Sequence, residues 1–476
     1  MRNPFARREP RDRITSVQAT PTLTSSVTDS QRRDDAWFAA LRAREFSRLD
    51  KSGEAYLDYT GSALYAESQV RNHLSLMAET VFGNPHSQSV ASLRSTEVIE
   101  DARRLTLSFF SADQREYDVI FTGNASGALR LVAEGFAFGP GSHFVLSADN
   151  HNSVNGIREQ ALARGAEVHY TRLDDELRLT SDAGMLARPK APSLYAFPAQ
   201  SNFSGVQHPL SLVEVAQQAG YWVLLDAAAF VPTNPLRLDV VKPDFVALSF
   251  YKMFGYPTGV GALIVRREAL TELRRPWFAG GTVEFASVQH RTHMLKAGAE
   301  GFEDGTPNFG SMAALPDGFA LLGDVGMDNV KRRVSQLTTT MLAELASLRH
   351  KNGQSVTRVY GPTNSVSRGG TVAFNVVDQS GRVVPYSHVE RRALERGVSV
   401  RGGCFCNPGA AERAFGFPAA ETLSCMNRAR TEGFTIESFA ACLGGTTAVG
   451  AVRASLGLAS TENDIARLVD VVESSC

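Results

Sequence analysis

Between residues 117 and 266 the chain repeats one pattern, and that pattern narrows the fold more than any other feature. Short runs of branched and aromatic residues (YDVIFT, HFVLSA, EVHYTRL, SLYAFPA, WVLLD, FVALSF and VGALIV) alternate with segments such as SGALRLVAEGF, SVNGIREQALARG and SLVEVAQQAG, whose apolar residues recur three to four apart. Short, near-continuous apolar runs suit strands covered on both faces, so the pattern predicts a buried, largely parallel sheet between helices. The fold class is therefore α/β. Upstream, DDAWFAALRAREFSRL and ASLRSTEVIEDARRLTLSFF read as helices, and AYLDYTGSALY as a short strand entering a loop. Beyond about residue 315 the order changes to a long helix, a strand pair near TVAFNVV and VSVRGG, and a closing helix in ENDIARLVDVV. That shift predicts a smaller α+β domain. The expected division is a disordered tail over 1–35, a large domain over 36–314 whose first helix can pack with the small domain, and a small domain over 315–476.

The tail, MRNPFARREPRDRITSVQATPTLTSS, is rich in Arg, Ser, Thr and Pro and lacks the apolar stretch of a secretory signal. Such composition cannot offset the entropy of ordering. An organellar transit segment is the alternative, against which Glu9 and Asp12 count. A formal net charge of −1 gives no electrostatic reason to bind nucleic acid or an anionic membrane. No apolar run reaches the roughly 18–20 residues of a membrane span. The five cysteines, Cys404, Cys406, Cys425, Cys442 and Cys476, are few, odd in number and confined to the last quarter. A secreted disulfide scaffold would be denser, so a reducing compartment, the cytoplasm, is expected.

In an open α/β sheet, ligands collect beyond the carboxyl ends of the strands. Ser126, His151, Asn202, Asp226 and Lys252 all follow predicted strands, so they should converge on one edge. A lone lysine there is ordinarily a solvated charge. Lys252, however, lies among Phe250, Tyr251, Met253 and Phe254, and is followed by Gly255, Gly259 and Gly261. Apolar surroundings lower an amine's pKa, as an amine that attacks a carbonyl requires. Asp226, whose bland reading is a helix cap, supplies the carboxylate that pyridoxal phosphate needs against its ring nitrogen. Taken alone, His151 reads as a loop histidine and Ser126 as a helix cap. Cys404 and Cys406 form a C-x-C pair, but no second pair stands near enough to complete a zinc site, and buried inert thiols are the other plain reading.

With LDAAAF and SFYKMFGYPTGVGALIV around Asp226 and Lys252, the chain resembles the class V pyridoxal-phosphate aminotransferases. It is most similar to cysteine desulfurases and, above all, to the amino-terminal domain of molybdenum cofactor sulfurases. YLDYTGSALY, GNPHSQS, FPAQSNFSGV, FEDGTPNF and RGGCFCNPGA extend the resemblance from about residue 55 to the end. It implies a fold-type I transferase in which Lys252 holds the cofactor covalently, Asp226 meets its ring nitrogen and His151 stacks on the ring. Asn202 would approach the phenolic oxygen, Ser126 and Ser249 the phosphate, and Thr306 the phosphate of a neighbouring subunit, which implies a homodimer with shared sites. Arg401 would hold the carboxylate of L-cysteine.

Arg401 and Cys406 match the R-x-G-x-x-C spacing of desulfurases, which makes Cys406 rather than Cys404 the expected sulfur acceptor. Turnover would leave alanine and an enzyme persulfide, with no metal involved. Two departures stand out: Tyr251 occupies the place of a histidine in ordinary desulfurases, and Ala229 that of a Gln or His. A C–S lyase, a selenocysteine lyase and an epimerase remain open on this fold, as does a catalytically silent sulfur carrier. Retained Cys406 counts against the epimerase, and intact Lys252 and Asp226 against the silent carrier. Complete molybdenum cofactor sulfurases carry a further carboxyl-terminal domain, for which no segment after Cys476 is expected. The sulfur acceptor, whether molybdenum cofactor or another, is left open.

Overall fold

The computed structural model describes residues 32–180, 186–444 and 448–476. The tail expected over 1–35 falls outside these except for its last four residues. Seven strands form the central sheet in the order Tyr117–Thr122, Gly261–Arg266, Phe245–Ser249, Trp222–Asp226, Leu194–Pro198, His143–Ser147, Glu167–Thr171. Gly261–Arg266 runs antiparallel to both of its neighbours, and every other pair is parallel. The mostly parallel mixed sheet is as the sequence leads one to expect.

Burial on both faces explains the continuous apolar runs. Val223 and Leu225 enter one hydrophobic cluster while Leu224 enters the other, and Val246 and Phe245 divide in the same way. Successive side chains of a strand point to opposite faces, and each fully buried one contributes about 1.5–3 kcal/mol. Helices follow their caps: Asn124 accepts from the Gly127 amide at 3.0 Å to open Ala125–Gly135, and Ser89 accepts from the Ser92 amide at 3.2 Å to open Val90–Phe109.

The smaller unit has a four-stranded antiparallel sheet in the order Thr357–Tyr360, Thr371–Val376, Ala451–Ser455, Arg401–Gly403. TVAFNVV and VSVRGG are therefore not partners, because Ala451–Ser455 lies between them. That strand, AVRAS, is short, rich in small residues and interrupted by a charge, so it carries little strand signal in the sequence. The first helix is divided at buried Phe46 into Asp35–Glu45 and Ser47–Ser52. Its Phe38, Leu41 and Leu49 share a core with Leu337, Val372, Val452 and Leu468 of the smaller unit. SVNGIREQALARG is likewise two helices, Asn152–Asn155 and Ile157–Ala163, broken at Gly156.

Candidate active site

Ser126, His151, Asn202, Asp226, Ser249 and Lys252 line a single cavity of about 160 Å³, together with Gln200, Ala229 and Tyr251. Asp226 ends its strand, and Lys252 sits in the short helix Phe250–Phe254 directly after Phe245–Ser249. Gly255 ends that helix at φ 78°, where a side chain would collide with the backbone of Leu64 and Tyr65. Glycine alone tolerates both the conformation and the approach.

Lys252 has no hydrogen-bond or ion-pair partner among the described residues. Burial pulls its amine down from the usual lysine range, opposed by the charge of Asp226 and reinforced by Arg453. Asp226 is 8% exposed and accepts from the Ala228 amide at 3.0 Å. His151 is also shifted down, first by burial, with Asp226 opposing and Lys252 and Arg453 reinforcing. The Ser153 amide donates to His151 Nδ1 at 3.1 Å, so the neutral ring carries its proton on Nε2. Ser126 Oγ and Ser153 Oγ are 2.7 Å apart, and Ser249 Oγ accepts from the Ala125 amide at 2.8 Å, at the amino end of Ala125–Gly135. The donor set suits pyridoxal phosphate: an unpartnered amine for the aldehyde, a buried carboxylate for the ring nitrogen, and hydroxyls at a helix amino terminus for the phosphate.

The cysteine loop is fastened to this cavity by side-chain and backbone hydrogen bonds. Asn202 Nδ2 donates to the Phe405 carbonyl at 2.7 Å, and the Asn152 amide to the Cys406 carbonyl at 2.7 Å. Asn407 Nδ2 donates to the Asp149 carbonyl at 2.6 Å and to Asn202 Oδ1 at 2.9 Å, while its Oδ1 caps the helix Pro408–Phe415. Phe405 and Cys406 both adopt φ 55°, which costs about 1–2 kcal/mol per residue. The Cys406 side chain is exposed. Cys404 is half-buried, its Sγ donates to the Val449 carbonyl at 3.3 Å, and burial pushes its thiol up to about 11. A thiol held protonated is a poor nucleophile, which favours Cys406.

Arg401 does not line the cavity; it forms an ion pair with Asp58, Nη2 to Oδ2 at 2.6 Å. Asp58 also pairs with Arg453, Nη2 to Oδ1 at 3.0 Å, and Arg453 Nη1 donates to the Asn202 carbonyl at 3.0 Å. Burial pulls the Arg453 guanidinium down and Asp58 partly restores it. Arg453, Asp58 and Asn407 escape a reading of the sequence, although two signals were present. Asn407-Pro408 is a helix cap followed by a first-turn proline, and Arg453 is a lone charge in a buried strand. Thr306 lies in a different cavity, of about 360 Å³, beside Gly123, Gly127 and Trp277, and Asn84 Nδ2 donates to its Oγ1 at 3.4 Å.

Cys425 and Cys442 are joined by a disulfide between the helices Ala419–Glu432 and Ile436–Cys442, leaving Cys404, Cys406 and Cys476 free. Among the described residues no cluster of His, Cys, Asp and Glu could hold a metal, and no helix is long and apolar enough to cross a membrane.

A model of the class-V aminotransferases matches residues 55–468. The chain is 37% identical to the molybdenum cofactor sulfurase of Solanum lycopersicum over 91% of its length, and 36% identical to that of Homo sapiens over 89%. It spans about half the length of these curated relatives, 57% and 50% respectively. Among solved structures it is similar to the apo cysteine desulfurase of Thermococcus onnurineus, with a TM-score of 0.74 and 25% identity, covering 92% of this chain and 97% of that one.

Proposed function

The chain belongs to the class-V aminotransferase family, and from that premise we propose that it is a pyridoxal-phosphate enzyme that moves sulfur from L-cysteine onto Cys406. The observation that carries this reading is the fastening of the Cys406 loop to the rim of the cavity that holds Lys252, Asp226 and His151.

Lys252 would hold the cofactor and Asp226 its ring nitrogen, with His151 against the ring and Asn202 near the phenolic oxygen. Ser126 and Ser249 would hold the phosphate. When bound, pyridoxal phosphate supplies a sink for the electrons released as the substrate loses its α-proton. Lys252, whose amine burial pulls down from the usual lysine range, would take that proton and return one. Arg401 and Arg453 share one carboxylate, Asp58, so the trio carries a surplus positive charge. A second carboxylate, that of the substrate, is its natural complement. Cys406 thiolate then attacks the substrate sulfur. A sulfur–sulfur bond forms, the carbon–sulfur bond breaks with its electrons left on carbon, and protonation of that carbon gives alanine.

Thr306, outside the cavity, is the residue through which we expect a second subunit's phosphate site to be completed in a homodimer. We keep the division into units over 36–314 and 315–476, with the first helix packing on the smaller unit, a reading that their shared core supports. The curated relatives bear the name molybdenum cofactor sulfurase, which favours molybdenum cofactor as the acceptor. Incubating purified protein with L-cysteine tests the reading. Alanine in step with bound persulfide supports it; sulfide with pyruvate would mark a C–S lyase instead.

A further inference from the structure

The hydrogen bonds that fasten residues 405–407 to the larger unit end on two separate stretches of chain. Phe405 and Asn407 meet Asn202, in the loop after Leu194–Pro198. Cys406 and Asn407 meet Asn152 and Asp149, which follow His143–Ser147. A loop held at φ 55° at both Phe405 and Cys406 keeps that backbone only while its surroundings over-determine it. The two receiving stretches therefore have to stay fixed relative to each other.

One buried contact joins them. His208 closes the 199–208 loop by donating its amide to the Ala199 carbonyl at 3.2 Å, and its Nε2 lies 2.8 Å from Asp149 Oδ2. The two side chains are 1% and 0% exposed. A carboxylate accepts, so Nε2 is the donor. Ser147 Oγ donates to the other oxygen, Oδ1, at 2.9 Å. With a donor on each oxygen the Asp149 side chain is fixed, and its backbone carbonyl is held where Asn407 Nδ2 reaches it at 2.6 Å. A fully buried carboxylate needs such partners. Here the partner comes from the loop that carries Asn202, and His208 is not among the residues lining the cavity of Lys252.

We propose that His208, acting through Asp149, is a positioning residue. It locks the two receiving stretches together and so sets the place of Cys406 for sulfur transfer. The role in sulfur transfer rests on the function proposed above; the placement of the loop does not.

Hydrogen–deuterium exchange of the cofactor-loaded protein, read by peptide, tests the placement. His208→Leu removes one donor to Asp149, Ser147→Ala removes the other with little change in volume, and His208→Gln keeps an amide donor on a side chain of similar reach. Exchange over 401–409 should rise about tenfold or more in His208→Leu, as loss of a hydrogen bond to a charged group implies, with the strands of the large sheet unchanged. Ser147→Ala should show a smaller rise in the same peptide, and His208→Gln should restore most of the protection. The kcat for alanine formation should fall about tenfold or more in His208→Leu and recover in His208→Gln, while KM and the absorbance of the bound cofactor stay as in the parent. Unchanged exchange over 401–409 in Ser147→Ala, or a rise spread evenly over the sheet, would overturn the proposal, and either outcome can be read even if His208→Leu does not fold. A loosened loop with full kcat would overturn the role in sulfur transfer. A parent protein inactive on cysteine would instead count against the proposed function and leave the exchange result standing.

Discussion

The carbonyl oxygen of Cys406 accepts a 2.7 Å hydrogen bond from the amide of Asn152, the residue that follows His151 in the chain. Two loops from different units are thereby held in register. The exposed thiol of Cys406 rides on a backbone fixed against the residues that line the cavity of Lys252 and Asp226.

That fastening depends most on one side chain. Asn407 spends both ends of its amide on the loop and on the larger unit. Asn407→Ala should leave those buried partners unsatisfied, at about 1–3 kcal/mol. Alanine formation from cysteine should fall about tenfold or more while cofactor content holds. Absorbance of the bound cofactor and an alanine assay on the same sample check both halves.

Asp58 joins two guanidinium groups in unlike settings, Arg453 at 3% side-chain exposure and Arg401 at 52%. Asp58→Asn strands the buried Arg453 and should cost about 3–5 kcal/mol. Arg401→Gln breaks only a solvent-screened pair and should cost about 0–1 kcal/mol. Denaturant unfolding of both variants measures the contrast. In Arg401→Gln the KM for cysteine should rise more than kcat falls.

Acidification should weaken the fold through His151. Its folded pKa lies below the ordinary 6.5, so the unfolded chain binds a proton that the folded chain resists. Stability is therefore lost as pH falls through and below about 6.5. Unfolding midpoints between about pH 7.5 and 5.5 should slope less in His151→Gln than in the parent protein.

The active form should be a dimer, because Thr306 lies outside the cavity that holds Lys252. Sedimentation at assay concentration should show two chains. A fully active monomer would contradict the shared phosphate site.

The sequence makes the large sheet legible because its strands are apolar on both faces and punctuated by helices. It also marks Ser126, His151, Asn202, Asp226 and Lys252 as neighbours, since strand ends in such a sheet meet at one edge; they do line one cavity. What stays hidden depends on contacts distant in the chain. Asp58 finds Arg401 and Arg453 across more than 340 positions, and no local pattern announces it. The bond between Cys425 and Cys442 was equally silent, for their spacing says nothing until two helices fold back on each other.

The cofactor assignment rests on one amine. Lys252→Ala should lose the visible absorbance of the protein-bound cofactor and all turnover. A borohydride-reducible bond to the cofactor surviving in that variant would place the attachment elsewhere.

The sulfur-bearing residue is tested most directly by mass spectrometry of the protein after treatment with L-cysteine. The extra sulfur should sit on Cys406, which is exposed, and not on Cys404, whose thiol burial holds near 11. Cys406→Ser should keep its cofactor yet form alanine orders of magnitude more slowly, since a serine hydroxyl stays protonated and cannot accept sulfur as a thiolate does. Cys404→Ser should be much milder. Sulfur found mainly on Cys404, or normal turnover in Cys406→Ser, would contradict the assignment and favour a lyase.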